Sequence, residues 1–202
     1  MQVDVSKVSV VEAYQLMVSL VTPRPIAWVT TLSPSGVVNL APFSFFNTFG
    51  ANPPIVVFSP TLRRDGSKKD TLLNLESLGE FVIHAATEKH AEQINLSGKT
   101  IPTEESEVEL VGMQTIASQL IKPPRLADAP FALECKVREI LPMGNGPIAA
   151  NLVIGEVVMM HIDDTILDAA GIPDPTKLKS IARLGGEYWC KTQDLFQLKR
   201  FA

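Results

Sequence analysis

From Phe131 the chain alternates, apolar at Leu133, Cys135 and Val137 and polar at Glu134, Lys136 and Arg138. That is the period of a strand with one buried and one wet face. Asn151 to His161 is a long apolar run suited to pair with it, and Met143-Gly144-Asn145-Gly146-Pro147 turns the chain between them. The same reading upstream predicts a hairpin: Ile26 to Thr31, a turn at Ser33-Pro34-Ser35-Gly36, then Val37 to Pro42. Its second arm runs on through Phe43 to Gly50, far richer in phenylalanine than the 6% aromatic content of the chain. Asn52-Pro53-Pro54 resets direction, and Ile55 to Ser59 is a short, fully apolar strand. Glu80 to Ala85 is another.

Helical signals are few. Asp70 to Leu75 reads as a helix start with Lys69 or Asp70 near its cap, and Glu88 to Leu96 has helical spacing. Residues 97–110, polar and acidic, read as a surface excursion. Loop or short helices through Ile172-Pro173-Asp174-Pro175 precede Arg183 to Trp189 and an amphipathic end. At least six strands with mostly hairpin-length connections exclude a regular βαβ alternation. They predict a mainly β fold with a few helices, a closed or Greek-key antiparallel barrel. A length of 202 residues fits one domain over residues 1–202.

Hydrophobic residues at 46% and charged residues at 20% exclude a disordered chain. A net charge of −4 gives no general attraction to nucleic acid or to an anionic membrane, so neither is an expected partner. A phosphate-bearing ligand has to be held by a local cluster. No stretch approaches the ~20 apolar residues of a membrane span. The start, Met1 to Lys7, lacks the pattern of a signal peptide, so the expected location is the cytoplasm. Cys135 and Cys190 form no CxxC pair and are expected as free thiols. His84, His90 and His161 show no metal-binding spacing, so no metal is expected. No nucleophile elbow, dinucleotide fingerprint or phosphate-loop motif is present.

Two segments carry candidate chemistry. A phosphate needs converging hydroxyls, cations and free backbone N–H groups at a helix start. Ser59, Arg63, Arg64, Lys68, Lys69 and Thr71 supply them, although a solvated basic loop explains the same charge run. A flat aromatic ligand needs a wall with polar groups at its edge and small residues that permit close approach. Asn39 to Asn47 offers two amides, a hydroxyl, Ala41, Pro42 and three phenylalanines. Such a run also suits a strand end feeding the core.

Together these segments resemble the flavin reductase-like family of FMN-binding split-barrel proteins. Three blocks carry the likeness: Thr22 to Thr31 with Gly36, Asn39 to Asn47 and Pro53-Pro54; Lys69-Asp70-Thr71 with Asn74 and Gly79 to Val82; and Arg183-Leu184-Gly185-Gly186 with Tyr188. Pro124-Arg125-Leu126 and Leu133-Glu134-Cys135 add to it, and the likeness covers about residues 10–200. It implies an FMN-binding split β-barrel with the cofactor in a groove at a homodimer interface. It would place the phosphate at Ser59, Lys69 and Thr71, with Arg64 and Asp70 in the same block. Thr30 and Thr31 would be further ribityl or phosphate contacts. The ring would rest against Asn39, Ala41, Pro42, Ser44, Phe45 and Asn47, and Arg183 and Tyr188 would close the pocket. Lys68 beside Lys69 leaves open which ammonium meets the phosphate. Gly50-Ala51 stands where relatives often have serine, so no hydroxyl contact is expected there.

The implied activity is hydride transfer from NADH or NADPH to bound flavin and electrons onward, the acceptor being left open among free flavin for a partner monooxygenase, a nitro compound and another redox protein. The alternative is an FMN-binding electron carrier that does not itself oxidise NAD(P)H.

Overall fold

The computed structural model describes residues 1–199. The chain runs through α1 (Val10–Leu20), β1 (Ala27–Leu32), β2 (Val38–Phe43), β3 (Phe46–Ala51), β4 (Pro54–Phe58), α2 (Asp70–Leu78) and β5 (Glu80–His84). Then come α3 (Ala91–Leu96), α4 (Glu107–Leu110), β6 (Thr115–Ile116), β7 (Arg125–Leu126), β8 (Phe131–Met143) and β9 (Ala150–Ile162). The last elements are α5 (Pro175–Leu178), β10 (Ile181–Arg183) and β11 (Trp189–Lys191). Seven strands form one antiparallel sheet in the order β2-β1-β5-β8-β9-β4-β3. β2 and β3, consecutive in the chain, thus lie at opposite ends of the sheet. They are joined only by Ser44 and Phe45, where the long strand read from the sequence breaks. The sheet therefore curls on itself as a mainly β, antiparallel split barrel, and Ser59 N–H donates to Phe45 O at 2.9 Å, carrying the β3–β4 ladder one step towards β2.

The inward positions close the barrel by ordinary alternation. Ala27 and Val29 of β1, Phe43 of β2, Val56 and Phe58 of β4, Phe81 and Ile83 of β5, Cys135 and Val153 form one buried cluster. Leu75 of α2 joins it. Gly155 is required opposite Phe81, because a Cβ there would sit 2.4 Å from the ring. The outward residues of β1 and β2 are covered too. Trp28 and Leu40 pack with Ile94 of α3, Val108 of α4, Leu126 and Ile181, and Trp28 Nε1 donates to Ser97 Oγ at 2.9 Å. β1 is thus buried on both faces.

Three expectations change. The outer face of β8 is not wholly wet: Glu134 is fully buried, accepts from Gln119 N and Leu120 N at 2.7 Å each and pairs with His161 Nε2 at 2.7 Å. Burial alone would raise its carboxyl, but these donors hold it below the usual range. Residues 97–110 are not a pure surface excursion, because Glu107 and Val108 are buried against β2. The tail after Ser180 forms a small hairpin, β10 with β11.

No element was read before Ile26, yet α1 is a full helix, and Ser9 Oγ caps it by accepting from Glu12 N at 3.2 Å. Ser9-x-x-Glu12 is the sequence signature of such a start. The buried Arg24 guanidinium fastens the far end. It donates to Val18 O and, at 2.8 Å, Val21 O of α1's last turn, and to Leu184 O at 3.0 Å. Gly185 lies so close to Ser19 that a Cβ there would meet Ser19 Oγ at 2.3 Å. The Arg24 and Arg183 blocks are therefore two halves of one joint, bridged backbone to backbone. Both cysteines are free; Cys135 is buried, which pushes its thiol up.

Candidate functional site

The turn after β4 is built by its own polar groups. Gly66 has φ +83°, a left-handed conformation suited to glycine, and Asp65 Oδ1 accepts from Ser67 N at 2.9 Å. Arg63 folds back over the turn to Lys68 O and reaches Asp70 Oδ2 at 2.6 Å. Asp70 opens α2 and also accepts from Thr103 Oγ1 at 3.1 Å. Lys69 is the N-cap but makes no side-chain cap bond. The backbone N–H groups of Asp70 and Thr71, in the first turn, have no partner within a helical ladder.

The two adjacent lysines part company. Lys68 Nζ turns outward and pairs with Glu76 Oε1 at 2.7 Å. Lys69 turns inward, its ammonium 5.4 Å from the centre of the Phe43 ring. Among the described residues it has no carboxylate partner within salt-bridge distance. Burial, then Arg63, pushes it below the usual lysine range. The basic turn and the phenylalanine-bearing strand therefore converge at Lys69 and Phe43.

Two buried side-chain bonds lock α2 to the first hairpin. Asn39 Nδ2 donates to Thr71 Oγ1, and Asn74 Nδ2 donates to Thr31 Oγ1, both at 3.0 Å. A cleft opens beside them. One wall is Asn39 to Phe43 without Leu40, the second is Arg63, Lys69, Asp70 and Thr71, and the third is Ser97 to Ile101 with Glu107. Glu107 accepts from Leu40 N at 2.9 Å and so satisfies a donor of the edge strand β2; burial raises its carboxyl. A second depression lies between α1 and the basic turn, lined by Tyr14, Leu62, Arg64, Lys69 and Ile148 among others. A third is lined by Tyr14, Pro42, Ser44, Asn95, Gly98, Arg183 and Trp189, with Ile26 and Ile94. Lys69 joins the first to the second, Pro42 and Gly98 join the first to the third, and Tyr14 joins the second to the third. The three adjoin one another around β2, and together are called the groove.

The structure gathers most of the candidates read from the sequence. Asn39, Ala41, Pro42, Lys69, Asp70 and Thr71 share the first cleft, Arg64 lies in the second depression, and Ser44 and Arg183 in the third. Phe45 lines none of the three depressions itself, but stands edge-on to Tyr14, which lines two of them, with ring centres 6.2 Å apart.

Five others are not brought to the groove. Thr30 is fully buried and donates to Pro124 O at 2.7 Å, and Thr31 is fully buried with its hydroxyl taken by Asn74. The buried Ser59 hydroxyl accepts from Asn151 N at 3.2 Å. Asn47 lies exposed on β3, its Oδ1 accepting from Thr48 N at 2.8 Å. Tyr188 is 75% exposed and lines none of the three depressions. Asp70 stands in the cleft, but its carboxylate serves Arg63 and Thr103.

Sequence reasoning missed the 97–101 segment with Lys99, the buried Glu107 and Tyr14. The small, basic Ser97-Gly98-Lys99-Thr100 inside an acidic stretch was the available signal. Among the described residues no group of three or more His, Cys, Asp or Glu side chains could hold a metal ion, and no helix is long and apolar enough to cross a membrane.

Comparison with known proteins gives this groove a context. An uncharacterised protein of Halalkalibacterium halodurans is 41% identical over 202 residues, which are 99% of this chain and 96% of that one. The crystal structure of nitrilotriacetate monooxygenase component B from Bacillus cereus superposes with a TM-score of 0.92 at 34% identity, covering 98% of both chains. That of the 2-nitrobenzoate 2-nitroreductase NbaA of Pseudomonas fluorescens gives 0.88 at 33% identity, covering 99% of this chain and 96% of that one. The family model for the flavin reductase like domain matches residues 18–176. With that match over most of its length, and with a split barrel whose basic turn meets an aromatic strand, the chain belongs to the flavin reductase-like family.

Proposed function

We propose that the groove binds FMN and that the protein is an oxidoreductase of the flavin reductase type. The observation that carries this reading is Lys69: a partly buried cation without a carboxylate partner, set against Phe43 at the start of α2. Holding a bare ammonium there is unfavourable until an anion arrives. A phosphate would be met by Lys69, by the free N–H groups of the first turn of α2 and by the Thr71 hydroxyl, whose oxygen already accepts from Asn39. Arg64 and Lys99 add positive charge on either side. The flat end of the ligand would lie along Ala41, Pro42 and Ser44, with backbone groups of β2's free edge at its polar rim. The residues present therefore fit the group.

When bound, the flavin supplies a two-electron centre that takes a hydride from a dihydronicotinamide, which leaves oxidised, and gives its electrons up later. The protein's part is to hold the ring on one side and leave the other open. No dinucleotide fingerprint is present, so the nicotinamide must lie directly on the flavin in the same groove. The likeness to a monooxygenase component supports delivery of the electrons to a separate oxygenase.

A homodimer belongs to the same proposal. Val10, Val11, Met17 and Leu20 of α1 and Phe49 of β3 are exposed. Exposed large apolar side chains that gather into a patch generally mark an interface, and a two-fold partner is the commonest way to cover one. Light scattering at micromolar concentration is expected to give a dimer.

Anaerobic stopped-flow mixing of the FMN-loaded protein with NADH and with NADPH tests the activity. Bleaching of the flavin band within seconds is expected with at least one. Retention of FMN without bleaching by either would make the protein an electron carrier instead.

A further inference from the structure

The third depression adjoins the first at Pro42 and Gly98, away from Lys69, and is lined by Ser44 of the ring-bearing wall. Its floor is thin. A Cβ at Gly98 would stand 3.5 Å from Pro42 Cγ and 3.3 Å from Asn95 O. Its position is fixed from behind, since Ser97 Oγ accepts from Trp28 Nε1 and donates to Ile94 O at 3.0 Å. The opposite wall is Arg183, whose guanidinium lies 4.6 Å from the centre of the Trp189 ring and donates to Gly186 O at 2.7 Å. Its backbone is held to Arg24 by two hydrogen bonds of 2.9 Å. Among the described residues Arg183 has no carboxylate within salt-bridge distance. A cation set over an indole, with its backbone pinned and no carboxylate partner among the described residues, is available to bind an anion.

We infer that this depression is the subsite for the pyrophosphate of the pyridine dinucleotide, with Arg183 as its binding residue. The inference rests on the proposed reaction, since a hydride donor must lie on the open face of a ring set along Ala41, Pro42 and Ser44, and this depression adjoins the Ser44 end of that wall. Lys69, Arg64 and Lys99 are on the flavin-phosphate side of Pro42. Arg24 also reaches Ser44 Oγ, at 3.4 Å, but its guanidinium is spent on Val18 O, Val21 O and Leu184 O, and Arg183 is the basic residue that lines the third depression. The Ser44 hydroxyl and the Asn95 amide stand in the same depression, and Trp189 offers a flat apolar face. This reassigns Arg183 from closing the flavin pocket to selecting the electron donor.

The test uses the FMN-loaded protein and oxidised NAD and NADP, so that binding is read without turnover. Tryptophan emission is expected to fall on titration. Trp189→Phe should remove that response, because the other tryptophan, Trp28, is fully buried. Arg183→Gln is expected to weaken dinucleotide binding about 10- to 100-fold, the range of one lost charge-assisted contact. FMN affinity should stay within about twofold. Arg183→Lys, which keeps the charge, is expected to lie between. A thermal melt of each variant controls for folding.

No dinucleotide binding by the unaltered protein, or unchanged binding by both Arg183 variants, would overturn the inference. Equal loss of FMN and dinucleotide would return Arg183 to the flavin pocket and overturn it as well. Dinucleotide binding that depends on Arg183, without any flavin reduction by NADH or NADPH, would uphold the subsite and refute the proposed reaction.

Discussion

Replacing Lys69 separates a ligand role from a structural one. Lys69→Met keeps an unbranched stem over Phe43 and deletes the charge. In the flavin-free protein the ammonium is partly buried, faces Arg63 and sits below the usual lysine range, so it is held at a cost. Its loss is expected to leave the flavin-free protein as stable as before, or more so. A bound phosphate would lose one charge-assisted hydrogen bond, about 1.5–3 kcal/mol, or roughly 10- to 150-fold in Kd. The assay is quenching of FMN fluorescence on titration, paired with urea unfolding of the flavin-free protein. Lys68→Met is the control: Lys68 is paired with Glu76 on the exposed side, and its loss should change Kd by no more than about twofold. The pH dependence carries the same sign. A phosphate raises the depressed Lys69, so binding takes up a proton on the alkaline side. Affinity then falls as pH rises through the free-protein value, and Lys69→Met abolishes that slope. Unchanged affinity in Lys69→Met, equal effects at Lys68 and Lys69, or a parallel loss of stability and affinity would each refute the reasoning.

Other consequences concern the barrel and the loop that walls the cleft. His84 is fully buried, shares Nδ1 with Trp28 O at 3.0 Å and accepts from Leu126 N at 2.9 Å. Burial pushes it down from 6.5 to about 3. The unfolded chain takes up that proton first, so its contribution is complete above the unfolded value and is lost as pH falls towards the folded one. Unfolding free energies from urea titrations at pH 7 and pH 5 should differ by roughly 2 kcal/mol from this group. Gly155→Ala places a Cβ 2.4 Å from the Phe81 ring and should cost about 1–3 kcal/mol in the same assay, without changing the slope of the transition. Glu107→Ala leaves Leu40 N–H without its acceptor, a cost of about 1–3 kcal/mol, and should also weaken FMN binding by freeing the 97–107 segment. Glu107→Gln keeps an acceptor and should restore most of both.

The parts of the fold legible from residue patterns were those in which one period rules. The hairpin of β1 and β2, the long pair β8 and β9, and Pro53-Pro54 at the start of β4 stand where alternation and turn chemistry put them. So does the meeting of a basic turn with a phenylalanine-bearing strand. The rest depended on packing. Lys68 and Lys69 are equivalent in composition, and only the docking of α2, through Asn39–Thr71 and Thr31–Asn74, turns one outward and the other in. Thr30 and Thr31 look available in a list of hydroxyls, but β1 lies between β2 and β5 and is covered on both faces, so each hydroxyl is used internally. The acidic 97–110 stretch read as solvent-facing. Its one buried carboxylate, Glu107, finds a backbone donor on an edge strand, a partner that no local pattern reveals.

The central claim is that one groove grips a flavin by its phosphate at Lys69 and by its ring along Ala41 to Ser44. Parallel titrations of the flavin-free protein with FMN and with riboflavin, at fixed pH and salt, test it most directly. FMN should bind at least about 100-fold tighter than riboflavin, the ratio expected of a dianion meeting Lys69 and the start of α2. Equal affinity for the two, or binding of neither, would contradict it.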